Sequence, residues 1–308
     1  MISIKRIKRI LLSGVSFKVL PALIALGFVA GGAGNSFFAF ALDWPSAEGI
    51  LVSNFGLNEQ GTAVQENTFR AGGPIYPSDV GELVFYQDSS NSASRFPSPL
   101  GAWTALDHGD NIIGIYSRFE DSKNDSITTI VERETIIARA GKSGWTDEEG
   151  FSFAFFDRKE RRWINPSIVI PPLDDDRPPV IRQVELRGVS GVSINPAQTR
   201  NIAQGAYSVY VDAYDTISAS GETLAPNRII CTVNGSEAEE LKFEFTAAKN
   251  GKRMVYRNGL VPAERVYYSW PGYEAGNVRF SRGQATLVVE VRDIAENSRS
   301  VTYRLNIE

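Results

Sequence analysis

The chain carries few groups suited to proton, metal or thiol chemistry: one histidine and one cysteine among 308 residues. A catalytic zinc needs about three protein ligands and an open water position. A serine nucleophile needs a base that is itself oriented by a third group. His108, in Asp107-His108-Gly109, is the lone imidazole and is expected to be a partly buried or turn histidine. Ser143 has no histidine partner except this remote one, and Lys142-Ser143-Gly144 lacks the upstream glycine spacing of a phosphate loop. Cys231 alternates with apolar residues in Ile229-Ile230-Cys231-Thr232-Val233, so it reads as a small buried hydrophobe with no internal disulfide. Asp107 and Glu120 flank a hairpin and are expected to be solvated. Asp174-Asp175-Asp176 are adjacent, without the alternating spacing of a calcium loop, and are expected in a solvated linker.

The elements that would position these residues are strands. Gly81 to Tyr86, Glu134 to Ala140 and Gly150 to Phe156 read as strands. Trp103 to Leu106 and Asn111 to Phe119 read as a hairpin turning at His108-Gly109-Asp110-Asn111, residues that tolerate positive φ. Asp174 to Pro179 breaks the pattern, because prolines deny ladder donors. Beyond it, Val180 to Leu186, Ala206 to Tyr214, Arg228 to Val233, Leu241 to Phe245, Ala285 to Val291 and Val301 to Ile307 alternate apolar and polar residues. Short strands separated by turn signals predict a β-sandwich with the pattern of a bacterial immunoglobulin-like module. Tyr267, Tyr268, Trp270 and Tyr273 bracket Pro271-Gly272 and read either as an exposed aromatic loop able to bind sugar or protein, or as edge packing. The basic tip Arg158 to Arg162 reads as a solvated turn.

A net charge of −4 gives no basic surface for nucleic acid. Lys5, Arg6, Lys8 and Arg9, the apolar stretch Val19 to Ala33 and Ala39-Phe40-Ala41 form a signal-peptide pattern with cleavage before Leu42. The alternative is an uncleaved membrane anchor, which Lys18 and Pro21 weaken by interrupting the apolar run; with cleavage, no stable membrane anchor is expected. The expected organisation is a signal peptide over 1–41, a first domain over 42–173, a linker over 174–179 and an immunoglobulin-like sandwich over 180–308, all-β throughout.

Five stretches of the first domain occur in the order of a known family. They are Ser53-Asn54-Phe55-Gly56; Gly72-Gly73-Pro74-Ile75 with Gly81-Glu82-Leu83-Val84-Phe85; Leu106-Asp107-His108-Gly109-Asp110 with Ile115-Tyr116-Ser117-Arg118-Phe119; Ile136 to Gly144 with Gly150 to Phe155; and Trp163-Ile164-Asn165-Pro166. This series resembles the LytM/lysostaphin-type peptidoglycan endopeptidases, the zinc peptidases of family M twenty-three. The resemblance implies a small antiparallel sheet of the duplicated-hybrid-motif kind with a groove above it. In that family an H-x-x-x-D pair and the second histidine of H-x-H bind zinc, and the histidine of Y-A-H and the first of H-x-H serve the water.

Carried onto this chain, H-x-x-x-D falls on Thr62 and Glu66, H-x-H on Phe151 and Phe153, and the histidine of Y-A-H on Arg118. His108 matches a family histidine that is not a ligand. Arginine does not give up its proton and phenylalanine offers a metal no lone pair. The expectation is therefore a pseudo-enzyme without zinc or another cofactor. The phenylalanines read first as core that fills the former site, since alternating aromatics in strands most often pack; the alternative makes Tyr116, Arg118, Phe151 and Phe153 residues of an apolar groove bearing one cation. The resemblance implies a periplasmic or secreted protein whose partner is peptidoglycan or a cell-wall hydrolase, since degenerate relatives resemble activators of wall amidases. An active endopeptidase with an unrecognised metal site and a structural envelope scaffold are the alternatives.

Overall fold

Phe151, Phe153 and Phe155 share one face of the strand Gly150–Asp157, and the first half of the molecule is built around that face. The computed structural model describes residues 42–70, 72–87, 98–120, 128–217, 221–267 and 271–308; the expected signal peptide lies outside them. The three rings are buried together with Phe69, Leu106 and Tyr116, and the half-buried Trp44 packs against them. Phe69 stacks on Phe151 at 5.1 Å between centroids, and Trp44 meets Phe153 edge-on at 5.8 Å. Full burial of one such ring contributes about 1.5–3 kcal/mol, with a further ~0.5–1.5 kcal/mol for a well-oriented aromatic pair.

Gly150–Asp157 pairs antiparallel with Asn67–Arg70 along one edge and with Ile112–Ser117 along the other. Ile112–Ser117 and Trp103–Asp107 form the expected hairpin, with Gly109, Asp110 and Asn111 all at positive φ in its turn. Gly81–Gln87 extends the sheet beyond Trp103–Asp107. The strand expected over 134–140 shrinks to Ala138–Arg139, paired with Pro74–Ile75. Pro74 and Pro77 withhold ladder donors from the partner segment, so the pairing cannot lengthen.

The second half is a sandwich of antiparallel strands. Val180–Gly188, Gly205–Tyr214 and Tyr273–Phe280 make one sheet; Arg228–Val233, Ser236–Lys249, Gly283–Arg292 and Ser298–Ile307 belong to the other. Val184, Leu186, Val209 and Val211 from the first share a core with Ile229, Leu287, Val289 and Leu305 from the second. Cys231 sits in that core, its thiol pushed up to about 12 chiefly by burial, which leaves it protonated and unreactive. Tyr267 and Tyr273 are buried against Phe243, not presented on an exposed loop. Tyr268 and Trp270 lie outside the described residues.

The two cores are bridged by main chain. Arg162–Ile164 pairs with Phe155–Asp157 on one side and with Phe245–Ala247 on the other, so one sheet runs through both halves. Asn54 adds a two-way contact, donating to Ala225 O at 3.0 Å and accepting from Ala225 N at 2.7 Å. Residues 174–179 have no regular structure. Among the described residues no helix is long and apolar enough to cross a membrane.

Phe153→Ala is expected to destabilise the chain by about 3–5 kcal/mol in equilibrium denaturant unfolding, as for a fully buried ring. A loss below ~1 kcal/mol would show that the ring is not part of the core.

Candidate functional site

Side chains alternate across a strand, so the face opposite the phenylalanines belongs to Ser152 and Ala154. Ser152 is fully buried, and its hydroxyl lies 2.8 Å from that of Thr68 on the neighbouring strand. The same hydroxyl lies close enough to the Glu66 carboxyl to favour its charged form. Above this polar floor lies a groove of about 570 Å³, lined by Glu59, Thr62, Glu66, Arg70, Arg118 and Glu148 among others. Arg253, from the sandwich half, also lines it and donates to Ala63 O at 3.0 Å.

Arg118 is the fixed point of the groove. Its Nη2 lies 3.1 Å from Glu66 Oε1, with both side chains nearly three-quarters buried. Its backbone has φ of 66°, a left-handed conformation that costs a non-glycine residue on the order of 1 kcal/mol or more. Two hydrogen bonds hold it there, Arg118 N to Leu100 O and Gly141 N to Arg118 O. Burial raises the Glu66 carboxyl above its ordinary value, while Arg118 and the Ser152 hydroxyl pull it back down. Arg70 bridges Glu148 and Glu222, both at 3.1 Å.

Of the residues expected at the site, the structure brings Thr62, Glu66 and Arg118 to one groove. It puts Tyr116, Phe151 and Phe153 in the core, beyond reach of any ligand. The expected apolar groove with a single cation is thereby corrected. Its lining mixes charged and polar residues with Val52, Ala63 and Val64, and it carries three cations, Arg70, Arg118 and Arg253. Ser152 and Ala154, not Phe151 and Phe153, are the i, i+2 pair on the Glu66 side of the strand. The pattern Phe-Ser-Phe-Ala-Phe already carried this signal, because its apolar members mark the buried face. Thr68 and Arg253 had no comparable signal in the sequence.

The donors of the groove do not fit a catalytic zinc. No histidine or cysteine lines it, and Glu66 is held by an arginine. Among the described residues, no three metal-ligating side chains converge there. Ser143 is equally committed, donating to Phe119 O at 2.6 Å and accepting from Ala102 N at 2.9 Å.

A protein-family model matches residues 178–308. No curated protein matches the chain. Among solved structures, the catalytic domain of the prophage-encoded M23 protein EnpA from Enterococcus faecalis is similar, at 20% identity over 39% of this chain and 88% of that one, with a TM-score of 0.32. Lysostaphin is similar at 11% identity over 71% of this chain and 86% of that one, with a TM-score of 0.33.

His108 lies off the groove, on the core side of the sheet, in a closed hydrogen-bond chain. Ser78 N donates to the Tyr116 hydroxyl at 2.9 Å. That hydroxyl lies 2.9 Å from His108 Nε2, and His108 Nδ1 lies 3.1 Å from Val80 O. The carbonyl needs a donor, so the proton sits on Nδ1 and Tyr116 donates to Nε2. Gly114 lies beneath the pair, where a Cβ would come within 2.6 Å of Nε2. Burial lowers the pKa of His108 below the ordinary 6.5. The unfolded chain therefore takes up this proton first, and the stability involved is intact above pH 6.5 and declines as the pH falls below it. In pH-dependent unfolding, His108→Gln is expected to remove this part of the decline. Tyr116→Phe should cost about 1–3 kcal/mol, since Ser78 N–H and His108 Nε2 lose their partner. An unchanged pH slope in His108→Gln would refute the neutral, buried assignment.

Proposed function

We propose that the chain is an exported, non-catalytic relative of the LytM-type peptidases that binds the peptide part of the cell wall in the Glu66–Arg118 groove. The observation that carries this reading is the ion pair itself. It occupies the position where the family's sequence pattern places a metal ligand and a catalytic histidine. A guanidinium and a carboxylate cannot polarise and hydrolyse an amide as a zinc-bound water does, but they can recognise one. Arg118, Arg70 and Arg253, interspersed with Glu59, Glu66 and Glu148, suit a short peptide bearing both carboxylates and amines. The five family-like stretches in order support an envelope role, and the signal-peptide pattern supports a periplasmic or secreted location.

The same groove would serve a regulator that holds a segment of a cell-wall hydrolase, and one experiment separates the two. Co-sedimentation of the purified protein with peptidoglycan sacculi is expected to pellet it. Arg118→Ala should weaken that binding by about 10–100-fold, the worth of a charge-assisted hydrogen bond. A protein that stays in the supernatant would contradict wall binding and leave the protein-directed regulator.

A further inference from the structure

The sequence places Asp175 in a proline-rich break, Asp215 just past the strand Gly205–Tyr214 and Asp293 just past Gly283–Arg292. The fold brings them together. One carboxylate oxygen from each lies within 4.8 Å of the others. Asp215 and Asp293 are buried and Asp175 is half-buried. No lysine or arginine forms an ion pair with any of the three among the described residues.

A cluster of acids alone is common on protein surfaces, but this one carries a second signal. Asp215 is only 5% exposed, and its Oδ1 is wholly buried with no hydrogen-bond partner. Asn227, 9% exposed, has an equally buried and unpartnered Oδ1. Asp175, Asp215 and Asn227 line the same small cavity of about 30 Å³, large enough for an ion or a water. A buried, unpaired acceptor costs ~1–3 kcal/mol, and native proteins leave few of them. Burial and the neighbouring Asp293 and Asp175 push the Asp215 carboxyl up to about 7. Asp293 is aimed by Asn297, whose N donates to Oδ1 at 2.8 Å and whose Nδ2 donates to Oδ2 at 2.9 Å. Asn297 Nδ2 also reaches Asp175 O at 3.1 Å, tying the 174–179 segment to the same turn.

We propose that Asp175, Asp215 and Asp293, with Asn227 beside them, bind one hard divalent cation, calcium by its chemistry. The donors are all oxygens, which disfavours zinc and other nitrogen- or sulfur-seeking metals. Magnesium demands near-ideal octahedral geometry and keeps most of its waters. Calcium accepts an irregular, partly buried oxygen set. The cation would neutralise the repulsion, satisfy the orphaned oxygens and pin the connecting segment to the end of the sandwich, fixing the joint between the two cores. The expectation of a merely solvated linker misses this because two of the donors are more than thirty residues away in sequence.

The test uses the purified chain stripped with a chelator. Thermal unfolding in calcium about tenfold above its dissociation constant should raise the midpoint by about 2–4 °C, and equilibrium dialysis should find one calcium per chain. Asp215→Asn should be as stable as the wild type without calcium, since it relieves repulsion; Asp293→Asn gives up one of the two hydrogen bonds from Asn297 and should be somewhat less stable; both should lose the shift. Should either buried variant fail to fold, the half-buried Asp175→Asn gives the same readout. The proposal is overturned by absence of bound calcium at about 5 mM, a concentration above the usual extracellular range of affinities. It is equally overturned by a shift that survives in these variants, or by an equal response to magnesium.

Discussion

The strand Gly150–Asp157 is paired along both edges, by Asn67–Arg70 and Arg162–Ile164 on one side and Ile112–Ser117 on the other. A strand so held cannot slip by one residue without turning all its side chains over. Phe151, Phe153 and Phe155 therefore stay in the core, and Ser152 stays beneath Glu66 and Thr68. This register decides what the groove can contain. It fixes a polar floor, leaves Glu66 without imidazole neighbours and sets Arg118 against the burial that raises the carboxyl's pKa. Arg118 follows directly on the strand's last residue, Ser117, and its left-handed backbone is held by main-chain hydrogen bonds to Leu100 and Gly141 while its guanidinium meets Glu66.

The same strand connects the groove to the rest of the molecule. Its last residues pair with Arg162–Ile164, which pairs in turn with the sandwich strand Ser236–Lys249. Arg253 of the sandwich half lines the groove and holds Ala63. A peptide bound there would therefore touch both halves. The carboxylate cluster stands at another crossing between them, where Asp175 of the connecting segment meets Asp215 and Asp293. The joint is thus main-chain pairing, with Asn297 also donating to Asp175 O, not a bare solvated linker.

Much of the fold was legible in local pattern. Alternation located the long strands, and Gly109, Asp110 and Asn111 located the hairpin turn. Local pattern was silent where partners decide. The segment expected as a strand over 134–140 lacked a partner able to pair along its length, and Tyr273 begins a buried strand although its neighbours read as a loop. At the site, Glu66 and Arg118 were found by motif order. For Phe151 and Phe153 the motif offered a groove and the strand alternation a core, and the structure places both rings in the core. Arg253 and the Asp175, Asp215 and Asp293 cluster were not legible, because sequence separation hides residues that only tertiary pairing brings together.

The Arg118–Glu66 ion pair stands where the resemblance to the LytM-type peptidases would place a metal ligand. Titration of the chelator-stripped protein with zinc, in competition with a zinc-binding dye, addresses it directly. The account predicts no tight stoichiometric site that depends on Glu66. One tightly bound zinc per chain that disappears in Glu66→Gln would contradict it.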